Sequence, residues 1–305
     1  MKFEYSPLHI PGARKLFLNA SSLKVRTCRR RYGLTVRGYK GDPGDMSKMD
    51  LGSAMHRYAE VYSRTAGAHD EAIVETLRRW PHVDRATIMR AAARRADVVI
   101  PPAISVDGSL LIEAKFEVPW LATVVNGETI QIVLCGTMDH VGYANDGVRL
   151  IDYKSTSYAM IKYAIDKYIH ETQFKFYMWV LYRFGAGMLP LEYFNMVREG
   201  QFSMQTCIIQ VAAKEPRWAL DQKRYMSAHQ YEEYEAALTA ELPAMVEDLL
   251  AVESHDALPA ANGMLNNSCQ YCGFTKMCHA KDASIAFDAF KSYTQTEYNP
   301  IAERD

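Results

Sequence analysis

The chain has 305 residues, 49% hydrophobic and 23% charged, with 35 Lys+Arg against 36 Asp+Glu. At roughly 150 residues per domain, this length predicts one large or two small domains, and the composition excludes a disordered or fibrous chain. The longest apolar runs, such as that around residues 130–136, fall far short of the roughly 18 residues a membrane helix needs, so no transmembrane segment and no membrane partner are expected. Glu4, Pro7 and Pro11 interrupt any apolar signal-peptide core. The expected location is therefore cytoplasmic, a reducing compartment in which six cysteines point to metal or cluster binding before disulfides.

Charge is unevenly distributed. Residues 1–40 hold ten basic side chains (Lys2, Arg14, Lys15, Lys24, Arg26, Arg29, Arg30, Arg31, Arg37 and Lys40) against Glu4 alone, whereas residues 229–256 hold eight acids and no Lys or Arg. A basic flank opposite an acidic one suits a polyanion-binding protein of near-neutral net charge.

In chain order, Ser21 and Ser22 are expected to cap a basic helix through Leu23, Cys28 and Tyr32, followed by a Gly/Asp/Pro-rich loop at 38–45. Helical spacing predicts helices over Met49–Tyr62, Glu71–Trp80 and Asp84–Ala96. Three antiparallel strands are predicted at Leu110–Val118, Ile130–Tyr143 and Val148–Tyr153, separated by turns at Asn126-Gly127 and Asp146-Gly147. A helix over Tyr158–Phe184 comes next, then strands at Leu191–Val197 and Phe202–Val211, and a long helix or helix pair over Pro216–Val252 ahead of a Cys-rich loop. The layout is α/β or α+β around one central sheet, divided into a helical segment 1–100, a sheet region 101–215 and helices with the Cys-rich loop at 216–305, all within one integrated domain.

The chemistry concentrates on the strands flanking Asp146-Gly147, which carry Gly136-Thr137-Met138-Asp139 and Ile151-Asp152-Tyr153-Lys154. Strand alternation points Asp152 and Lys154 to one face and Ile151 and Tyr153 to the other. Should Asp139 face the same way, two carboxylates converge on a hard cation such as Mg²⁺, with an ammonium beside it. Such a pairing suits phosphoryl chemistry, because the cation activates water while both positive charges stabilise the developing negative charge. A bare D-x-K is a weak signal by itself, and a cross-strand ion pair is its bland reading.

Gly136-x-x-Asp139, Ile151-Asp152-Tyr153-Lys154-Ser155 and Gln173-x-x-x-Tyr177, preceded by Gly52-x-x-x-His56, together resemble the RecB-like branch of the PD-(D/E)XK nuclease superfamily. The resemblance implies a restriction-endonuclease-like fold, a central mixed sheet flanked by helices. By the same resemblance His56, Asp139, Asp152 and the backbone carbonyl of Tyr153 hold Mg²⁺ or Mn²⁺, Lys154 is catalytic, and Gln173 and Tyr177 orient phosphate or active-site groups. Glu113 stands on the preceding strand, where the branch often carries a further acid. Met138 departs from the proline of the superfamily name, and Asp152 stands where many members have Glu.

Near the carboxyl end stand Cys269-x2-Cys272-x5-Cys278, three thiols that need a fourth ligand from among Cys28, Cys135, Cys207 and His279. Cys135 and Cys207 lie in apolar strand runs and are expected in the core, whereas Cys28 lies on a basic helix that looks exposed. A distant cysteine followed by C-x2-C-x5-C resembles the 4Fe-4S pattern of AddB nuclease domains and CRISPR-associated RecB-like exonucleases. That likeness implies a cluster on Cys28, Cys269, Cys272 and Cys278 joining the amino- and carboxyl-terminal segments. Thiol spacing alone leaves zinc as the alternative.

The expected function is a metal-dependent DNA exonuclease for single strands or free ends, with 5′ to 3′ polarity favoured by resemblance, in prokaryotic or phage DNA repair, recombination or CRISPR processing. The sequence has no G-x-x-x-x-G-K-[ST] loop, so unwinding falls to a helicase, recombinase or CRISPR-type partner. The Cys28 helix and Arg78, Arg79, Arg85, Arg90, Arg94 and Arg95 are candidate phosphate contacts. The rival reading is a non-catalytic or partner-activated DNA-binding module stabilised by the Fe-S or zinc site. The sequence leaves oligomeric state open.

Overall fold

The structure is a computed structural model that describes residues 1–41, 47–156, 172–211, 215–252, 258–259, 261, 269, 272–280, 283–296, 298 and 300. Its principal strands are β1 (Glu4–Tyr5), β2 (Arg14–Leu18), β3 (Ile112–Val125), β4 (Glu128–Ala144), β5 (Gly147–Thr156), β6 (Phe202–Gln210) and β7 (Arg217–Leu220). The principal helices are α1 (Ala20–Val25), α2 (Arg29–Val36), α3 (Ser47–Arg64), α4 (His69–Arg79), α5 (Arg85–Ala92), α6 (Thr172–Phe184), α7 (Leu191–Arg198) and α8 (Ala228–Ala251). Mixed β-sheet flanked by helices is the architecture. The chain forms two compact units, one of residues 1–44, 116–136 and 233–305, the other of residues 45–115 and 137–232.

In the first unit β1 pairs antiparallel with β3, while β2 pairs parallel with the first half of β4, from Arg14↔Ile130 to Leu18↔Leu134. The β3–β4 hairpin turns at Asn126 (φ 52°) and Gly127 (φ 81°), the left-handed pair that a two-residue turn between right-twisting strands demands. Arg14–Leu18 is thus a strand inside a region expected to be helical. The cap of α1 is Asn19, not Ser21 or Ser22: its Oδ1 accepts from Ser22 N at 2.6 Å while Ser22 Oγ accepts from Asn19 N at 3.1 Å. The expected single basic helix breaks at 26–28. Cys28 is the N-cap of α2 and buried, correcting its exposed placement.

Asp248 of α8 fastens that break. Its side chain, 1% exposed, receives Arg29 Nε at 2.8 Å and Nη2 at 2.6 Å, and Arg26 Nη1 lies 3.1 Å from its other oxygen. A buried carboxylate is tolerable only with such compensation, and two guanidinium groups supply it on either side of Cys28.

In the second unit the latter half of β4 runs antiparallel to β5, β5 runs parallel to β6 in the register Val148↔Phe202 to Thr156↔Gln210, and β7 returns antiparallel to β6. Parallel neighbours require a crossover, and here it carries α6 and α7. Of the helix expected over Tyr158–Phe184, residues 157–171 lie outside the described residues, and Thr172–Phe184 is helical. Met55, Tyr58 and Ala59 of α3 and Ile88 and Ala91 of α5 pack with Ile151, Tyr153, Cys207, Ile209 and Trp218, so one face of β5 and β6 is core. Cys135 and Cys207 are fully buried, as expected of core thiols.

Two elements differ from expectation. Leu191–Arg198 is a helix, not a strand: Pro190 stands at its N-cap with Glu192 in the first turn and Arg198 in the last, complementing the helix dipole. A short apolar run carries no length to separate the two periodicities. Arg217–Leu220, expected within a helix, is strand β7, with Trp218 buried and its Nε1 donating to Ala91 O at 2.7 Å.

Removing the Asp248 carboxylate leaves Arg26 and Arg29 with only the more distant carboxylates of Glu241 and Glu247, each at 3.7 Å. Asp248→Ala is expected to cost about 2–3 kcal/mol in urea unfolding, less than a wholly buried pair because Arg29 is 39% exposed. An unchanged midpoint contradicts this account.

Candidate active site

The site lies in the second unit, where the start of β3, the latter half of β4, β5, α3 and α6 supply its side chains. Alternation along β5 buries Ile151 and Tyr153 in the core and turns Asp152 and Lys154 to the other face. There Lys154 Nζ donates to Asp152 Oδ1 and to Gln173 Oε1, both at 2.9 Å, and Gln173 Nε2 donates to Asp152 Oδ1 at 2.6 Å. Three residues from a strand and the crossover helix thus form a closed ring of hydrogen bonds.

The β4–β5 ladder runs from Ala144↔Gly147 to His140↔Ile151. One residue beyond, Asp139 Oδ2 accepts from the backbone N–H of Tyr153 at 2.8 Å and faces His56 Nδ1 at 3.5 Å. His56, Glu113 and Asp139 each offer a ligand atom, all within 4.8 Å of one another. Glu113, near the start of β3, has φ 49°, a left-handed conformation that costs a non-glycine residue about 1 kcal/mol or more and departs from regular strand geometry. Gly52 explains how α3 lies so close: a Cβ there would stand 3.0 Å from Ser155 Oγ, at the end of β5. Its four-residue spacing to His56 is one helical turn.

Asp139 and Asp152 are both buried, 4% and 5% exposed. Burial pushes the Asp152 carboxyl up to about 6, and the charge of Asp139 pushes the same way, while Lys154 and His56 oppose them. His140, next to Asp139 but buried with Nε2 2.8 Å from Pro101 O, is driven down to about 4 by burial and stays neutral. The donor set of one imidazole and carboxylates suits a divalent ion of Mn²⁺ or Mg²⁺ type, with the nitrogen favouring Mn²⁺.

The structure therefore gathers His56, Glu113 and Asp139 in one group and Asp152, Lys154 and Gln173 in another. Tyr153 links them through its backbone N–H, and its ring lies 6.2 Å from that of His56. Tyr177, one turn after Gln173, is buried with its ring 5.7 Å from that of Phe176. Glu113 was legible only as an extra acid, since its left-handed backbone hides where its side chain goes.

In the first unit Cys28, Cys269, Cys272 and Cys278 line one cavity with Arg30 and Arg31. Arg30 Nη1 lies 3.9 Å from Cys278 Sγ. Burial raises the Cys272 and Cys278 thiols, and Arg31 and Arg30 respectively pull them back. Among the described residues these sulfurs do not form a group as tight as His56, Glu113 and Asp139. Several of the arginines expected to contact phosphate also have partners within the fold, Arg29 with Asp248 and Arg30 with Pro259 O, while Arg78, Arg90 and Arg94 pair with Glu75, Asp84 and Asp97 at the surface with half or more of each side chain exposed. Arg95 is buried between the rings of Tyr62 and Trp218.

A family model for the PD-(D/E)XK nuclease superfamily matches residues 18–279, a span that includes both groups of site residues. The chain belongs to that superfamily. No curated protein matches it significantly. Membership makes a nucleic acid the substrate class and phosphodiester hydrolysis the reaction class, and no described helix is long and apolar enough to cross a membrane.

The raised Asp152 carboxyl has a measurable consequence in metal-free protein. The folded state holds that proton up to about pH 6 and the unfolded chain only to about pH 4, so stability falls as pH rises between those values. In EDTA, Asp152→Asn is expected to flatten the decline of Tm across this window. An identical slope in wild type and variant overturns the assignment.

Proposed function

We propose that this protein is a metal-dependent deoxyribonuclease of the RecB-like branch, an exonuclease acting on single strands or free ends. The observation that carries this reading is the ring of Lys154, Asp152 and Gln173 standing beside the group of His56, Glu113 and Asp139. An ammonium held by two fixed acceptors next to a cluster of cation-binding donors suits phosphodiester hydrolysis.

In this reading His56, Asp139, Asp152 and the Tyr153 carbonyl hold Mg²⁺ or Mn²⁺, and Glu113, grouped with His56 and Asp139, is a further carboxylate ligand. The bound cation supplies Lewis acidity toward the scissile phosphate and lowers the pKa of an attacking water. Lys154 stabilises negative charge on the phosphate oxygens, and Gln173, donating to Asp152 and accepting from Lys154, fixes both in place. Tyr177 supports α6 from the buried side.

Cys28, Cys269, Cys272 and Cys278 are proposed to carry a 4Fe-4S cluster. Their shared cavity supports a common guest, and Arg30 and Arg31 compensate its thiolate charge. A tetrahedral zinc with Zn–S near ~2.3 Å draws its four sulfurs to within about 4 Å of one another. Zinc is the alternative guest for the same four thiolates. The cluster closes a loop of about 240 residues between Cys28 and the carboxyl-terminal cysteines, offsetting a long-range closure entropy.

The test is nuclease assay on end-labelled linear and circular single-stranded DNA with Mg²⁺ or Mn²⁺, after anaerobic purification. Wild type is expected to degrade the linear strand only. Asp152→Ala and Lys154→Ala are each expected to lower the rate by at least about 100-fold. Inert, folded wild type moves the reading to a DNA-binding or partner-activated module, and a cleaved circle makes it an endonuclease. Replacing any of the four cysteines with alanine is expected to abolish cluster absorbance and lower Tm. A variant lacking the absorbance but keeping full stability removes the clasp from the account.

A further inference from the structure

Beside the ring of Asp152, Lys154 and Gln173 lies a buried arginine outside the motifs that mark the site in the sequence. Arg224 is 8% exposed and sits just beyond β7, in a segment fastened to β6 by backbone hydrogen bonds: Arg224 N to Met204 O at 2.9 Å, Met204 N to Arg224 O at 3.0 Å and Asp221 N to Thr206 O at 3.0 Å. Its Nη2 donates to Thr206 Oγ1 at 2.5 Å and lies 3.0 Å from Asp221 Oδ2. Asp221 Oδ1 accepts from Thr206 N at 2.7 Å, so the carboxylate compensating the guanidinium is itself held by the strand. The guanidinium carbon stands 5.0 Å from the centre of the Phe174 ring.

These contacts place one side chain against the neighbours of two site residues. Thr206 is the cross-strand partner of Asp152, and Phe174 is the residue after Gln173. We propose that Arg224 is a positioning residue, bracing the helix of Gln173 against the strand pair that carries Asp152 and so holding the Lys154 ammonium at its two acceptors. The proposal rests on the nuclease reading only in its kinetic consequence.

The chemistry explains why arginine is used. A planar guanidinium can lay its face on an aromatic ring while its N–H groups donate in its own plane, and Lys cannot do both. Pairing with Asp221 lets the brace add no net charge beside a site that must attract a cation and a polyanion. It constrains geometry, where a displacement near 1 Å can cost about 100-fold in rate.

The experiment compares wild type, Arg224→Lys and Phe174→Leu in two independent measurements. The first is competitive acetylation with acetic anhydride, read by mass spectrometry, with exposed Lys175 as internal standard. Lys154, 20% exposed in its side chain and held by two acceptors, is expected to react slowly in wild type and several-fold faster in both variants. The second is steady-state cleavage, in which kcat is expected to fall by about tenfold or more while KM changes little. Phe174→Leu keeps the position apolar should Arg224→Lys fold poorly, and unfolding midpoints identify the folded variants. Unchanged Lys154 reactivity in a folded variant overturns the proposal, as does a rise in KM with kcat intact. An inert wild type with the expected acetylation pattern sinks the nuclease reading and leaves the brace standing.

Discussion

Two carboxylates, Asp139 and Asp152, are buried on neighbouring strands, and each raises the cost of the other. Burial of like charges at close range is tolerable only with positive or proton-donating partners. The surrounding fold supplies them from every side: the Tyr153 amide and His56 for Asp139, Lys154 and the Gln173 amide for Asp152. The close approach of α3 at Gly52 and the crossover that brings α6 over β5 are local solutions to one electrostatic problem, to which Glu113 adds a third acid. A bound divalent cation is the remaining partner this arrangement calls for.

Much of this was legible because strands impose a period of two. Asp152 and Lys154 share a face whatever the rest of the chain does, and the Asp146-Gly147 turn sets β4 beside β5. Gln173 was readable as an amide on an apolar helix, a group that needs partners wherever it is buried. His56 was readable only through the resemblance of Gly52-x-x-x-His56 to the family's first motif, since a lone helical histidine reads as half-buried packing. What escaped follows from irregular backbone. Glu113 breaks the alternation with a positive φ, and residues 221–224 hold to β6 through one isolated bridge, Met204↔Arg224, and the Asp221 N to Thr206 O bond, which leave no periodic trace. Leu191–Arg198 escaped for another reason, since eight residues with mixed apolar spacing satisfy helix and strand alike.

The first unit obeys a parallel logic at lower charge density. Its basic segment looked like a phosphate-binding face, yet Arg26 and Arg29 are committed to Asp248, and Arg30 to Pro259 O and the Cys278 sulfur. Sequence reports charge but not its compensation, because the acid lies more than 200 positions away along the chain. The acidic helix and the basic segment, which read as separate surfaces along the chain, meet at Asp248 in one buried contact.

The ring of Asp152, Lys154 and Gln173 also has a handedness of polarity. Gln173 must present its oxygen to the ammonium and its nitrogen to the carboxylate, since the reversed amide would set donor against donor and acceptor against acceptor. Only an ionised lysine opposite an ionised aspartate enforces that choice fully; protonating Asp152 gives the amide oxygen a competing donor. The orientation of a single uncharged side chain thereby records the charge state of the pair it joins. A glutamine in this place is a reporter as well as a support.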